Sequence, residues 1–310
     1  MSFNDDANLD TSQVESGGGR RGVPSGGMMI GGGAGGVVLL ILALLFGGNI
    51  TGDTTGNQVD PGLDTQLSPG QVQAGGAQAN NFSRCRTGAD ANRDVECRVI
   101  GTVNSVQDFW TSELPRFGKP YRHVKTVLYS GVTQSSCGPA SSQVGPFYCP
   151  LDQKVYIDAS FFAELTSRFG ADSGALAQEY VVAHEYGHAI QDQLGILDRA
   201  QQGPQGRNSG SVRIELMADC LGGMWAEHAS QTQDATGQAF LSTLSAADID
   251  SALSAASAVG DDRIQKKTQG RVTPESWTHG SSAQRQKWFL VGYRTGDLNQ
   301  CDTFTAASLS

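Results

Sequence analysis

The stretch Val181-Val182-Ala183-His184-Glu185-Tyr186-Gly187-His188-Ala189-Ile190 decides how the rest of the chain is read. Residues four apart share one face of a helix. His184 and His188 can therefore present imidazole nitrogens to a single metal ion. Glu185 follows the first of them, where a carboxylate can reach a water held by that metal. Two histidines and a general base on one helix are the working parts of a zinc peptidase. The flanks Val181, Val182, Ala189 and Ile190 are apolar, whereas a solvated helix would carry Lys, Arg or Glu there. Gly187 costs a helix about 1 kcal/mol relative to Ala, so its presence implies a close neighbour.

Catalytic zinc usually takes three protein ligands, with the remaining position kept for water. Downstream runs Val212-Arg213-Ile214-Glu215-Leu216-Met217-Ala218-Asp219-Cys220-Leu221. Glu215 and Asp219 again lie four apart, and two carboxylates in apolar surroundings need partners. Glu215 is assigned as the third ligand. Asp219 is assigned to orient a ligand histidine by accepting its other ring N–H. The implied cofactor is one Zn2+ per chain.

Taken together, these residues resemble the gluzincin arrangement, found in thermolysin-like and in membrane-bound prenyl-protein-processing peptidases. More narrowly, the chain resembles the bacterial neutral zinc metallopeptidases. That likeness is carried by Asp10-Thr11-Ser12-Gln13-Val14-Glu15, Cys137-Gly138-Pro139-Ala140 and Gly145-Pro146-Phe147-Tyr148-Cys149-Pro150. It continues through the motif helix with Gln191-Asp192-Gln193, and through Thr278-His279-Gly280-Ser281-Ser282-Ala283-Gln284-Arg285. One departure is Ser16-Gly17-Gly18-Gly19, where the family has a charged continuation. The resemblance implies a zincin-like fold. It also implies that His279 and Arg285, which match a C-terminal His…Arg element of the membrane-bound members, stabilise the oxyanion of a tetrahedral intermediate. An edge strand before the metal helix should pair with extended substrate backbone, and Lys154–Asp158 is the candidate, with an ordinary sheet strand as the equal alternative.

The 310 residues carry a net charge of −9 with only 17% charged residues. No run of Lys and Arg is available to neutralise phosphates, so a nucleic-acid partner is not expected. The segment 28–50 is uncharged and centred on Val37-Val38-Leu39-Leu40-Ile41-Leu42-Ala43-Leu44-Leu45-Phe46. Its length suits one transmembrane helix, with a signal peptide as the alternative. Arg20 and Arg21 precede it and no Lys or Arg follows before Arg84. The positive-inside rule then puts the N-terminus in the cytoplasm and the catalytic domain outside, in a periplasm or at a cell surface. Residues 1–27 read as a disordered cytoplasmic tail, 51–80 as a flexible linker, and 81–310 as the zinc metallopeptidase domain. All six cysteines follow the apolar segment, which suggests disulfides in an exported domain. Of fifteen possible connectivities, the short loops favour Cys85–Cys97 and Cys137–Cys149, leaving Cys220–Cys301.

The patterning predicts helices over 99–114, 159–169, 175–194, 211–231, 245–260 and 282–296, and short strands over 124–129 and 155–158. Gly195 is placed to stop the motif helix and Ser281 or Ser282 to cap the last one. The expected fold is α+β: a mainly helical domain with a small sheet, preceded by one membrane helix. The expected function is hydrolysis of peptide or protein substrates by metal-activated water, with Glu185 as general base. Two other readings stand beside it: a zinc-containing binding or scaffold module without turnover, and an amidase acting on a non-peptide amide. No Gly-x-Ser-x-Gly elbow supports serine chemistry.

Overall fold

A computed structural model describes residues 2–17, 82–141 and 144–310. Among these residues the fold is α+β, with eight α-helices, a four-stranded sheet and a two-stranded hairpin. The strands are β1 (Val14–Gly17), β2 (Lys125–Tyr129), β3 (Val132–Ser135), β4 (Gly138–Ser141), β5 (Phe147–Cys149) and β6 (Lys154–Asp158). The helices are α1 (Gly88–Arg93), α2 (Val95–Glu113), α3 (Phe161–Ser167), α4 (Ala175–Leu194), α5 (Gly210–His228), α6 (Ala246–Ala258), α7 (Asp261–Gln269) and α8 (Ser282–Thr295).

Helix α4 carries the motif and lies at the centre, touching α2, α5, α6 and the strands β5 and β6. It is buried on nearly every side from Leu176 to Gln191, as an apolar helix enclosed by others must be. Gly195 ends it in the left-handed conformation at φ 73°, as expected of a glycine stop. Gly187 lets α5 come close: a Cβ at that position would sit 3.0 Å from both Cα and O of Ala218. That approach brings Glu215 and Asp219 of α5 opposite the motif histidines. The Tyr186 hydroxyl joins α4 to the sheet, donating to Val124 O at 3.1 Å beside Thr126 Oγ1 at 3.0 Å.

The sheet order is β1-β2-β6-β5, with β1, β2 and β6 parallel and β5 antiparallel to β6. Lys154–Asp158 was expected at the sheet edge, and this is corrected: it is an inner strand, flanked by β2 and β5. The edge on that side is β5.

Residues 2–17 are also corrected, from disordered tail to part of the folded body. Val14 to Gly17 pair with Thr126 to Tyr129, and Phe3, Ala7 and Val14 are buried in the main core. Two asparagines act as substitute strands along this segment. The Asn92 amide accepts from Phe3 N at 2.8 Å and donates to Phe3 O at 2.9 Å. Asn104 does the same with Asp10, accepting at 2.8 Å and donating at 2.9 Å. These bonds account for Asn104, a polar side chain buried inside α2.

The membrane reading is corrected with it. Residues 2–17 and 82–310 share one sheet and one core, so they lie on the same side of any boundary. A single crossing between them, with a cytoplasmic N-terminus and an external domain, would tear that sheet apart. Among the described residues no helix is long and apolar enough to cross a membrane. The longest, α4, carries Glu179, His184, Glu185 and His188 among its apolar positions. The segment 28–50, to which the span was assigned, and the linker 51–80 lie outside the described residues.

All three disulfides are those expected: Cys85–Cys97, Cys137–Cys149 and Cys220–Cys301. The last ties α5 to the C-terminal segment.

Candidate metal centre

His184, Glu185 and His188 project from α4 and Glu215 from α5, all four less than 10% exposed. One donor atom from each of His184, His188 and Glu215 lies within 4.8 Å of the others. His184 Nε2 stands 3.2 Å from Glu215 Oε2, and His188 Nε2 stands 3.6 Å from Glu215 Oε1.

The opposite ring nitrogens decide what this cluster can hold. His184 Nδ1 lies 2.9 Å from Asp219 Oδ1, and His188 Nδ1 lies 2.9 Å from Gln191 Oε1. Gln191 Nε2 donates to Ile214 O at 2.7 Å, which fixes the amide with its oxygen toward the histidine. Both Nδ1 atoms thus face acceptors, so a neutral ring keeps its proton there and turns its Nε2 lone pair toward the Glu215 carboxylate. With both rings neutral, two imidazole lone pairs and a carboxylate converge on one point, which is the donor arrangement a cation takes. The donor set suits Zn2+. Burial alone would lower the pKa of His184, but the Asp219 carboxylate and Glu215 outweigh it and raise it to about 9. Burial likewise pushes Glu215 up, and the surrounding histidines more than reverse that, holding its carboxyl well below the usual range.

Around the histidines sits a buried ionic cluster. Arg285, on α8, grips Asp219 with two bonds: Nε to Oδ2 and Nη2 to Oδ1, each 2.9 Å. The Tyr180 hydroxyl donates to Asp219 Oδ1 and accepts from Arg285 Nη2 at 3.1 Å. Arg285 Nη1 reaches Val259 O at 3.4 Å. The guanidinium expected at the oxyanion is therefore spent on Asp219, one step behind His184, although Arg285 still lines the cleft.

His279 lies across the same cleft. Its Nδ1 is 3.0 Å from Thr278 Oγ1 and 3.3 Å from Asp261 Oδ1. Asp261 Oδ2 accepts the backbone N–H groups of Thr278, His279 and Gly280 at 2.8, 2.7 and 3.0 Å, so the loop bearing His279 is clamped onto the start of α7. Burial would lower the pKa of His279, but Glu215 and Asp261 raise it. Glu185 is shifted upward by burial, only partly offset by the neighbouring histidines.

Sequence reasoning missed Gln191, Tyr180 and Asp261 as parts of the site. Gln191 carried a usable signal, since it stands three residues after His188 on the same helical face. The remaining histidines are bystanders: His228 stacks on Phe109 with centroids 5.3 Å apart, and His123 touches Thr111 at an exposed position.

A family model described as "Putative neutral zinc metallopeptidase" matches residues 3–304. Uncharacterized proteins Mb2605 of Mycobacterium bovis and Rv2575 of Mycobacterium tuberculosis are each 55% identical over 252 residues, covering 81% of this chain and 85% of theirs. The uncharacterized protein YpfJ of Escherichia coli is 43% identical over 219 residues, covering 69% of this chain and 73% of its own length. No solved structure matches the chain significantly.

Proposed function

This chain belongs to the neutral zinc metallopeptidase family, and from that membership and the site's geometry we propose that it hydrolyses peptide bonds, with His184, His188 and Glu215 holding one Zn2+ and Glu185 as general base. One observation carries the reading: both motif histidines have Nδ1 locked on an acceptor and Nε2 turned to a shared carboxylate. When bound, Zn2+ supplies Lewis acidity toward the scissile carbonyl and an attacking water.

The chain's own residues do the rest. Glu185, buried at the cleft floor, accepts the proton of the attacking water and delivers it to the leaving nitrogen. Its upward-shifted pKa suits a group that must both take and return a proton. His279 donates to the oxygen that gains negative charge, and Asp261 behind it keeps the donor turned and charged. Arg285 works at one remove: with Tyr180 it holds Asp219 in place, and Asp219 holds the His184 ring. The arrangement is zincin-like. Peptide main chain would add along β5, the edge strand of the sheet, whose preceding residues Val144, Gly145 and Pro146 border the cleft. The catalytic body comprises residues 2–17 together with 82–310.

The test is hydrolysis of a quenched peptide by the full chain as purified, after chelation, and after zinc is returned. Activity lost on chelation and restored by zinc supports the reading. Activity indifferent to chelation removes it.

A further inference from the structure

One flank of the cleft takes no part in holding metal or moving protons. It is a wall built by Phe147 of β5, Phe161 of α3, Phe169 just after α3, Val181 of α4, Val259 at the end of α6 and Ile264 of α7. The exposed surface of the cleft is mostly apolar, as the lining of ligand-binding clefts usually is.

The wall is clamped rather than loosely draped. Arg263 Nη2 on α7 donates to Gly170 O at 3.0 Å, and Lys267 Nζ on α7 bonds Arg168 O. These two bonds bracket Phe169 and hold it against the helix that carries Ile264. Phe161 and Phe169 meet at 6.4 Å between centroids, and Gly145, at φ 77°, packs beside Phe161, where a Cβ would lie 3.4 Å from its ring.

We infer that this wall is a side-chain subsite selecting peptides with a large apolar residue next to the scissile bond, with Phe169 and Ile264 setting its depth. The inference rests on the peptidase reading above for the metal that fixes the bond's position. The wall adjoins His184, Glu185 and His188 in one cleft, so a side chain beside the reacting carbonyl meets it directly. Charge is disfavoured there. The wall itself carries no charged side chain: the cations of the cleft, Arg285 beside Asp219 and His279 beside Asp261, stand outside it. An acidic side chain laid on the wall would lose its water among apolar residues, and burial of unpaired charge is costly.

Binding tests this without requiring turnover. The zinc-loaded full chain is titrated by calorimetry with the hydroxamates of L-leucine, L-phenylalanine, L-alanine and L-aspartate. The leucine and phenylalanine compounds should bind about tenfold or more tighter than the alanine compound, with aspartate weakest. In Ile264→Asn, a half-buried position, the leucine-to-alanine ratio should fall below about threefold while zinc content stays unchanged. Phe169→Leu, a milder change, should weaken phenylalanine hydroxamate selectively. Equal affinities across the four compounds, or a ratio unmoved in both variants, would overturn the subsite. Selective binding with no cleavage of any peptide would sustain the subsite and remove the peptidase reading.

Discussion

Breaking the Asp219–Arg285 pair from each side, and then from both, gives the sharpest prediction about how the metal site is held. The pair is fully buried, joined by two 2.9 Å bonds, and shared with Tyr180 and His184. Asp219→Asn leaves the Arg285 guanidinium without an anion. Arg285→Met leaves the Asp219 carboxylate with only a phenol and an imidazole. Removing one partner of a buried pair typically costs about 3–5 kcal/mol, because the survivor is charged and dry. The double variant leaves no stranded charge, and hydrophobic replacement of a whole pair is often close to neutral. Its cost should fall short of the sum of the singles by about 2–3 kcal/mol, the upper range for residues in direct contact. The assay is urea unfolding of the metal-free full chain at pH 7, followed through the buried Trp110 and Trp225. Costs that add to within about 0.5 kcal/mol would refute the coupling and, with it, the positioning role given to Arg285.

Three other outcomes follow from the same structure. Gln191→Met removes the acceptor that orients His188, so zinc affinity should drop about 10–100-fold in competition with a chromophoric chelator; unchanged affinity would free His188 from Gln191. Glu179 of α4 is completely buried, neither carboxylate oxygen has a hydrogen-bond partner among the described residues, and burial, only partly countered by Arg98, raises its pKa to about 7. The folded state therefore holds this proton longer than the unfolded chain does. Stability should decline as pH rises from about 4.5 to 7 and stay reduced above. Glu179→Gln should be more stable than the wild type at pH 8 and indistinguishable from it at pH 4 in urea unfolding; an equal gap at both would contradict this. Asp234 accepts Asn8 N at 2.7 Å and Thr236 N at 2.8 Å, and these and the bonds from the side chains of both residues outweigh burial to depress its pKa. Its contribution is present above the ordinary Asp pKa near 4 and lost as pH falls below that. Asp234→Asn should loosen residues 2–17, raising their amide exchange on the order of tenfold at pH 7; exchange equal to the wild type would show that Asp234 does not hold that segment.

Local spacing made the candidate metal site legible. His184, His188 and Glu215, and the orienting Asp219, follow from four-residue intervals in apolar surroundings, and those intervals survive any detail of folding. The Cys85–Cys97 and Cys137–Cys149 bridges were legible because short loops close easily. What escaped depends on long-range placement. Val14 pairs with Thr126, and nothing in Val-Glu-Ser-Gly announces a parallel partner so far along the chain. The edge role passed from Lys154–Asp158 to β5 because strand order is a tertiary property. Helix α7, Asp261–Gln269, has almost no apolar stripe, so its pattern gave no helix signal and hid Asp261 from view. Arg285 matched a family position, yet which group its guanidinium grips is set by where α8 crosses α5. The apolar segment 28–50 passed the length test for a membrane helix, and only the shared sheet of residues 2–17 and 82–310 exposes the conflict with a single crossing.

The central claim is that this centre holds one catalytic zinc served by Glu185, and the most direct measurement sets the full-length wild type beside Glu185→Gln. Zinc per chain is measured by elemental analysis and turnover on the same quenched peptide. Both proteins should contain one zinc, and the variant should lose about 100-fold to 10,000-fold in turnover, the range for a general base. Equal turnover in the two, or a wild type that takes up no zinc, would contradict the claim.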